Sequence, residues 1–267
     1  MNGNVKNTEK QIAFLRRAGK PEIAFSLLRP TSEGVHLPFV IFMGGFRSDM
    51  GGTKALHLEE CCRNRGQGFI RFDYSGHGHS GGQFSDLTLQ DWLEDSRHIL
   101  KTLTHDKVIL VGSSMGGWLG LHLAIENPDS IGGFIGIAAA PDFTDTIINN
   151  RLRPDLRAIL EHDGKIELPN HYSSDPYIIT HDLIRSGDNL RLFGKKHNLS
   201  IPMCLLQGGL DEDVAPDTPE KIKEAFPKSK IVIYPLENGD HRLSRPEDLA
   251  LLDKCVVELS EAICAYK

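Results

Sequence analysis

The run Val108-Ile-Leu-Val-Gly-Ser-Ser-Met-Gly-Gly-Trp118 decides the architecture. Its first four residues are continuously apolar and rich in β-branched side chains, the pattern of a strand buried on both faces. From Ser114 to about residue 127 the chain is apolar nearly all round, which predicts a helix buried against a sheet. Between strand and helix stands Gly112-Ser113-Ser114-Met115-Gly116. A strand-to-helix turn this tight has no room for side chains two residues either side of its apex, while the apex hydroxyl is left exposed. Spacing selects the serine. Ser113 would have Val111 and Met115 at the flanking positions, so Ser114 is the expected nucleophile.

Working outward, short apolar runs alternate with helical stripes, the signature of a mostly parallel sheet covered on both faces. The predicted strands are 10–17, 22–28, 37–43, 68–73, 107–111, 133–138, 203–207 and 231–234, eight in all, with the first two pairing as an antiparallel edge. Thr88 and Asp91 have capping-box spacing ahead of a helical stripe, and a final helix starts after Pro246. The stretch 141–200 breaks the rhythm with its Asn, Asp, Arg, His and Pro residues. It is too long for a simple crossover and is expected to be a small helical cap over the sheet's C-terminal edge. Residues 1–140 and 201–267 then form the α/β core, with the cap inserted in the same domain.

A serine hydroxyl needs an adjacent base, and that base needs a carboxylate to hold its tautomer. Of the 12 histidines, His241 lies after the last predicted strand and before the final helix, at the same sheet edge as Ser114. The acid is expected from the loop after residue 207, giving the order Ser…Asp…His. Asp211 is favoured over Asp213 because it stands nearer the strand end. The tetrahedral intermediate requires two backbone N–H donors. Met115 supplies one, and Phe46, in the Gly44-Gly45-Phe46 loop, the other. His77 and His79 resemble a metal dyad, but no further ligands stand at useful spacing. No cofactor and no metal are expected.

Composition bounds the remaining classes. The 267 residues carry a formal charge of −6 with both signs interspersed and no Lys/Arg block, which argues against a nucleic-acid partner. No apolar run is long enough to span a membrane, and 1–10 is polar without a signal-peptide core. Five scattered cysteines without a C-x-x-C pair read as reduced thiols packed as small core residues. Nothing in the sequence speaks to oligomeric state.

With these residues assembled, about 38–262 resembles the α/β-hydrolase superfamily. The resemblance rests on Gly44-Gly45-Phe46, Asp73-Tyr-Ser-Gly-His-Gly-His-Ser80, the 112–116 turn, the loop from Gly208 through Asp211 to Val214, and Asp240-His241. Three segments are similar to one branch, whose animal members are mitochondrial acyl-protein thioesterases (depalmitoylases) and acyl-glucuronide esterases: Gly52-Thr-Lys-Ala-Leu-His-Leu-Glu-Glu60, Arg71-Phe-Asp-Tyr-Ser-Gly76 and Gly112-Ser-Ser-Met-Gly-Gly-Trp118. Two positions depart from the common pattern: Gln207 stands where many relatives have His, and Ala215 where they have Pro. The resemblance implies a serine hydrolase cleaving acyl esters or thioesters of small molecules or acylated proteins through an acyl-enzyme. No Arg-rich presequence is visible, so a cytoplasmic setting is expected. Two other readings stand beside this one: a generic short-chain carboxylesterase, and a non-catalytic binding protein on the same scaffold.

Overall fold

The computed structural model describes residues 12–104, 107–169 and 176–265. The polar stretch 1–10 and the first two residues of the predicted strand 10–17 lie outside them, as do His105 and His171. An edge hairpin opens the chain, β1 (Ala13–Arg17) and β2 (Lys20–Leu28), followed by β3 (Phe39–Met43), α1 (Thr53–Asn64) and β4 (Phe69–Phe72). Next come α2 (Leu89–Leu103), β5 (Val108–Ser113), α3 (Met115–Glu126) and β6 (Ile131–Ile137). An insertion then carries α4 (Phe143–Thr146), a π-helical turn (Ile147–Arg151), α5 (Pro154–Asp163), β7 (Lys165–Leu168), β8 (Tyr177–Thr180) and α6 (His181–Asn189). The chain closes with β9 (Met203–Gly208), α7 (Thr218–Ala225), β10 (Ile231–Leu236) and α8 (Pro246–Ala265).

Eight strands form one sheet in the order β1-β2-β4-β3-β5-β6-β9-β10. β2 pairs antiparallel with both β1 and β4, and the remaining neighbours are parallel. The alternation of side chains explains why the central strands read as unbroken apolar runs. On β5, Val108 and Leu110 enter one core with Trp92 of α2 and Trp118 of α3, while Ile109 and Val111 enter a second with Leu58 of α1 and Val256 of α8. Both faces are buried, so neither set of alternate positions can be polar. The α2 capping box forms as its spacing predicts.

The insertion is not wholly helical, in contrast to the expectation. β7 and β8 pair antiparallel as a separate two-stranded sheet. The insertion's two ends are held to each other and to α3. Asp142 accepts from the Leu192 and Phe193 N–H groups at 2.9 and 3.0 Å, bringing the insertion's two ends together. Trp118 Nε1 and His122 Nε2, both on α3, donate to the Leu190 carbonyl at 2.8 and 2.7 Å. Burial of a bulky aromatic with its N–H satisfied is worth several kcal/mol. No helix among the described residues is long and apolar enough to cross a membrane.

Candidate active site

Ser114 sits at the junction of β5 and α3 with φ 53° and ψ −117°. A non-glycine residue at positive φ is held there only by its surroundings. Here the Ser114 N–H donates to the Ile137 carbonyl at 3.0 Å, and its own carbonyl accepts from Gly117 and Ala140. The flanking glycines are steric necessities. A Cβ on Gly112 would stand 2.4 Å from the Gly116 oxygen, and one on Gly116 would stand 2.2 Å from the Met43 oxygen. Strained backbone gathers round this point: of the five non-glycine residues at positive φ among those described, Arg47, Ala138 and Leu243 flank the same site.

The structure brings the three expected side chains together. His241 Nε2 lies 3.1 Å from Ser114 Oγ, and His241 Nδ1 lies 2.9 and 3.1 Å from the two Asp211 oxygens. The Asp211 carboxylate is fully enclosed. Its Oδ1 accepts from the Asp213 and Val214 N–H groups, both at 2.9 Å, and Oδ2 accepts from Gln207 Nε2 at 3.1 Å. Asp213 lines the cleft nearby. Asp211, Asp213 and His241 offer ligand atoms within 4.8 Å of one another. The Asp211 lone pairs, however, are already taken up by four donors, the capacity of an ionised carboxylate.

The Gly44–Gly45–Phe46 loop approaches closely: a Cβ on Gly45 would stand 3.4 Å from Ser114 Cβ. Among the described residues neither the Phe46 N–H nor the Met115 N–H donates to a protein acceptor. Met115 follows Ser114 directly, and Phe46 follows the glycine that packs on it.

A cleft of about 730 Å³ opens over Ser114. Its apolar wall comes from the Phe46 ring and from Phe143, Ile147, Leu168, Tyr177 and Ile179 of the insertion. Phe46 meets the Phe143 and Tyr177 rings at 5.7 and 5.5 Å. Among the insertion's apolar side chains, Ile147, Tyr177 and Ile179 line the cleft, whereas Ile148 packs towards the core, Leu160 is buried in it and Ile159 is exposed. The π-helical turn at Ile147–Arg151 alters which side chain faces the cleft, and a sequence pattern does not reveal such a turn. The rim is polar. There Lys54 Nζ donates to the Arg242 carbonyl, next to His241, and burial pushes its ammonium down to about 8.

Three groups that sequence reasoning does not place beside these residues are Gln207, Lys54 and His77. Each meets a backbone or side-chain partner that only the fold brings near. His77 is buried, and burial pushes its imidazole down to about 4.

A family profile described as the alpha/beta hydrolase fold matches residues 42–162. The human palmitoyl-protein thioesterase ABHD10, named as mitochondrial, is 33% identical over 94% of this chain and 81% of its own length. Among solved structures, a hydrolase from Agrobacterium vitis S4 superposes with a TM-score of 0.87 at 37% identity, covering 94% of this chain and 98% of that one. Mouse alpha/beta hydrolase domain-containing protein 10 gives 0.85 at 31%, covering 95% and 99%. The expectation of a cytoplasmic setting is corrected by the mammalian relatives, whose names point to the mitochondrion. Unpaired cysteines report reducing surroundings and do not separate one reducing compartment from another. Coverage, identity and fold agree: this chain is a hydrolase and belongs to the α/β-hydrolase family.

Proposed function

We propose that the protein hydrolyses acyl thioesters and esters, of acylated proteins or of small molecules, through a covalent acyl-serine. The observation that carries this is the unbroken chain of contacts from Asp211 through His241 to Ser114 Oγ at 2.9 and 3.1 Å. The names of the mammalian relatives favour a palmitoyl-type acyl group, and the apolar wall of the cleft suits one.

In this reading the Ser114 hydroxyl attacks the acyl carbonyl carbon while its proton passes to His241 Nε2. Asp211 stays ionised, fixes the tautomer through Nδ1 and stabilises the imidazolium. The oxyanion accepts from the Phe46 N–H of the loop after β3 and from the Met115 N–H at the start of α3, where the helix dipole adds to the field. Collapse expels the thiol or alcohol, which takes the proton from His241. Water, deprotonated by His241 in turn, then attacks the acyl-serine, and collapse returns that proton from His241 to Ser114 Oγ as the carboxylic acid leaves. The 141–200 insertion serves as a cap on the core formed by 1–140 and 201–267, and its apolar side chains receive the acyl chain.

The test is labelling by a fluorophosphonate probe together with turnover of p-nitrophenyl esters and acyl thioesters. Wild type is expected to label and turn over. Ser114→Ala should lose both, with a rate loss of several orders of magnitude, while Ser113→Ala keeps substantial activity. A Ser114→Ala protein that retains about a tenth of the wild-type rate, far above that range, removes Ser114 as nucleophile.

A further inference from the structure

The stretch Asp73-Tyr-Ser-Gly-His-Gly-His-Ser80 follows β4 and faces the loop after β3, yet none of its side chains enters the chemistry above. It ties that loop down. Asp73 Oδ1 accepts the Met50 N–H at 2.6 Å, and Arg71, on β4, donates to the Met50 carbonyl at 3.0 Å. Arg71 is itself fixed by the buried Glu59 carboxylate at 2.6 Å. A third tie lies next to the reacting centre: His77 Nε2 stands 3.2 Å from the backbone nitrogen of Arg47, the residue after Phe46.

Two facts give that tie a direction. An N–H aimed at Nε2 requires Nε2 to be unprotonated, and Nδ1, 3.2 Å from the Ser75 carbonyl, must then carry the hydrogen. One neutral tautomer satisfies both contacts, and the imidazolium satisfies only one. The surroundings keep the ring neutral, since it is 4% exposed and walled by the rings of Tyr74, Phe84 and Trp92 at 5.6, 5.1 and 5.0 Å. Arg47, meanwhile, holds φ 60°, a left-handed conformation that a non-glycine residue keeps where its surroundings fix it. Its guanidinium lies 4.8 Å over the Phe84 ring, on the same aromatic cluster.

We propose that His77 is a positioning residue of the oxyanion loop: by accepting the Arg47 N–H it holds Arg47 in the left-handed region and thereby keeps the Phe46 N–H directed at the oxyanion. A ring that merely fills space among Tyr74, Phe84 and Trp92 has no need of an acceptor at Nε2, and this is what separates the two roles. The inference deepens the serine-hydrolase reading and rests on it.

The experiment combines a spectroscopic and a kinetic measurement. In wild type, ¹⁵N NMR of the His77 ring is expected to show the Nδ1–H tautomer. A proton on Nε2 would set two N–H groups against each other and overturns the proposal. His77→Phe keeps the packing and removes the acceptor, whereas His77→Gln keeps an acceptor within reach of the Arg47 N–H. On one thioester substrate, kcat of the Phe variant should fall about 100-fold, the lower end for losing one oxyanion donor, with KM within about threefold of wild type. The Gln variant should recover most of that loss. An unchanged kcat in the folded Phe variant, or equal losses in both variants, overturns the proposal. Should the Phe variant not fold, the tautomer and the Gln variant decide: near-wild-type kcat in Gln supports the role, and a 100-fold loss there overturns it. A wild type that neither labels at Ser114 nor hydrolyses any substrate refutes the function proposed above. An active wild type carrying the other tautomer refutes only the role of His77.

Discussion

The side-chain amide of Gln207 donates to Asp211 Oδ2 across 3.1 Å, so the last residues of β9 hold the candidate acid that follows them in the chain. The same amide also lies 3.4 Å from the Val214 carbonyl, closing the acid loop on itself. The chain thus holds the candidate acid with an uncharged donor.

Gln207→Leu should therefore weaken catalysis without abolishing it. A hydrogen bond to a charged group is worth about 1.5–3 kcal/mol, so kcat/KM is expected to fall about 10- to 100-fold. Gln207→Glu should be worse, because it buries a second carboxylate against the first. Steady-state kinetics on both variants, with melting temperatures to verify folding, checks the order; a Glu variant as active as wild type would contradict it.

Asp211 and Asp213 stand two residues apart, and Asp211 faces His241 Nδ1 through both oxygens. Asp211→Asn is expected to cost about 10⁴ in kcat, the loss seen when an orienting carboxylate becomes an amide. Asp213→Asn should stay within about tenfold, since Asp213 serves Asp211 through its backbone N–H, which the substitution keeps. Reversal of that order assigns the acid to Asp213.

Ile147 lines the cleft and Ile148 does not. In a series of acyl lengths on one leaving group, kcat/KM should rise roughly tenfold for every two methylenes buried, at about 0.8 kcal/mol each. Ile147→Trp should shift the optimum to shorter chains, while Ile148→Trp should leave it in place. A flat dependence in wild type reduces the reading to a generic short-chain carboxylesterase.

The buried neutral imidazole of His77 also carries a pH signature. Its folded value of about 4 lies below the ordinary 6.5, so the unfolded chain takes up the proton first as pH falls. Stability is accordingly lost between about pH 6.5 and 4, by about 3 kcal/mol in total for a shift of this size. Burial raises the carboxyls of Asp73 and Asp95, which act in the opposite sense in wild type and variant alike. His77→Gln does not titrate, so its melting temperature should drop less than that of wild type between pH 7 and 4.5. Parallel curves for the two proteins would contradict a buried neutral imidazole.

What the sequence makes legible here is whatever is written in local spacing. The glycines at 112 and 116 sit beside Ser114 in the chain because the turn itself demands them, and the central strands β3, β5 and β6 announce themselves through runs that must be apolar on both faces. The β7–β8 pair is harder to see. Lys165-Ile-Glu-Leu168 does alternate exposed and buried positions, but four residues in polar surroundings make a weak period-2 signal. His77 and Gln207 were invisible as supports for another reason. A histidine in a glycine-rich loop looks the same whether it binds metal, meets solvent or accepts an N–H from a residue 30 positions away. Only the packing of one loop on another distinguishes these cases.

The contacts that hold the insertion's two ends, at Asp142, Leu190, Leu192 and Phe193, have a consequence for how this protein changes over time. The wall that meets the acyl chain is drawn mostly from one contiguous stretch, whereas Ser114, Asp211 and His241 come from loops on either side of it. Lengthening a helix or exchanging a side chain between the two stem contacts rewrites what is admitted without moving the atoms that react. The part of the chain that would set selectivity and the parts that would set reactivity can therefore change separately.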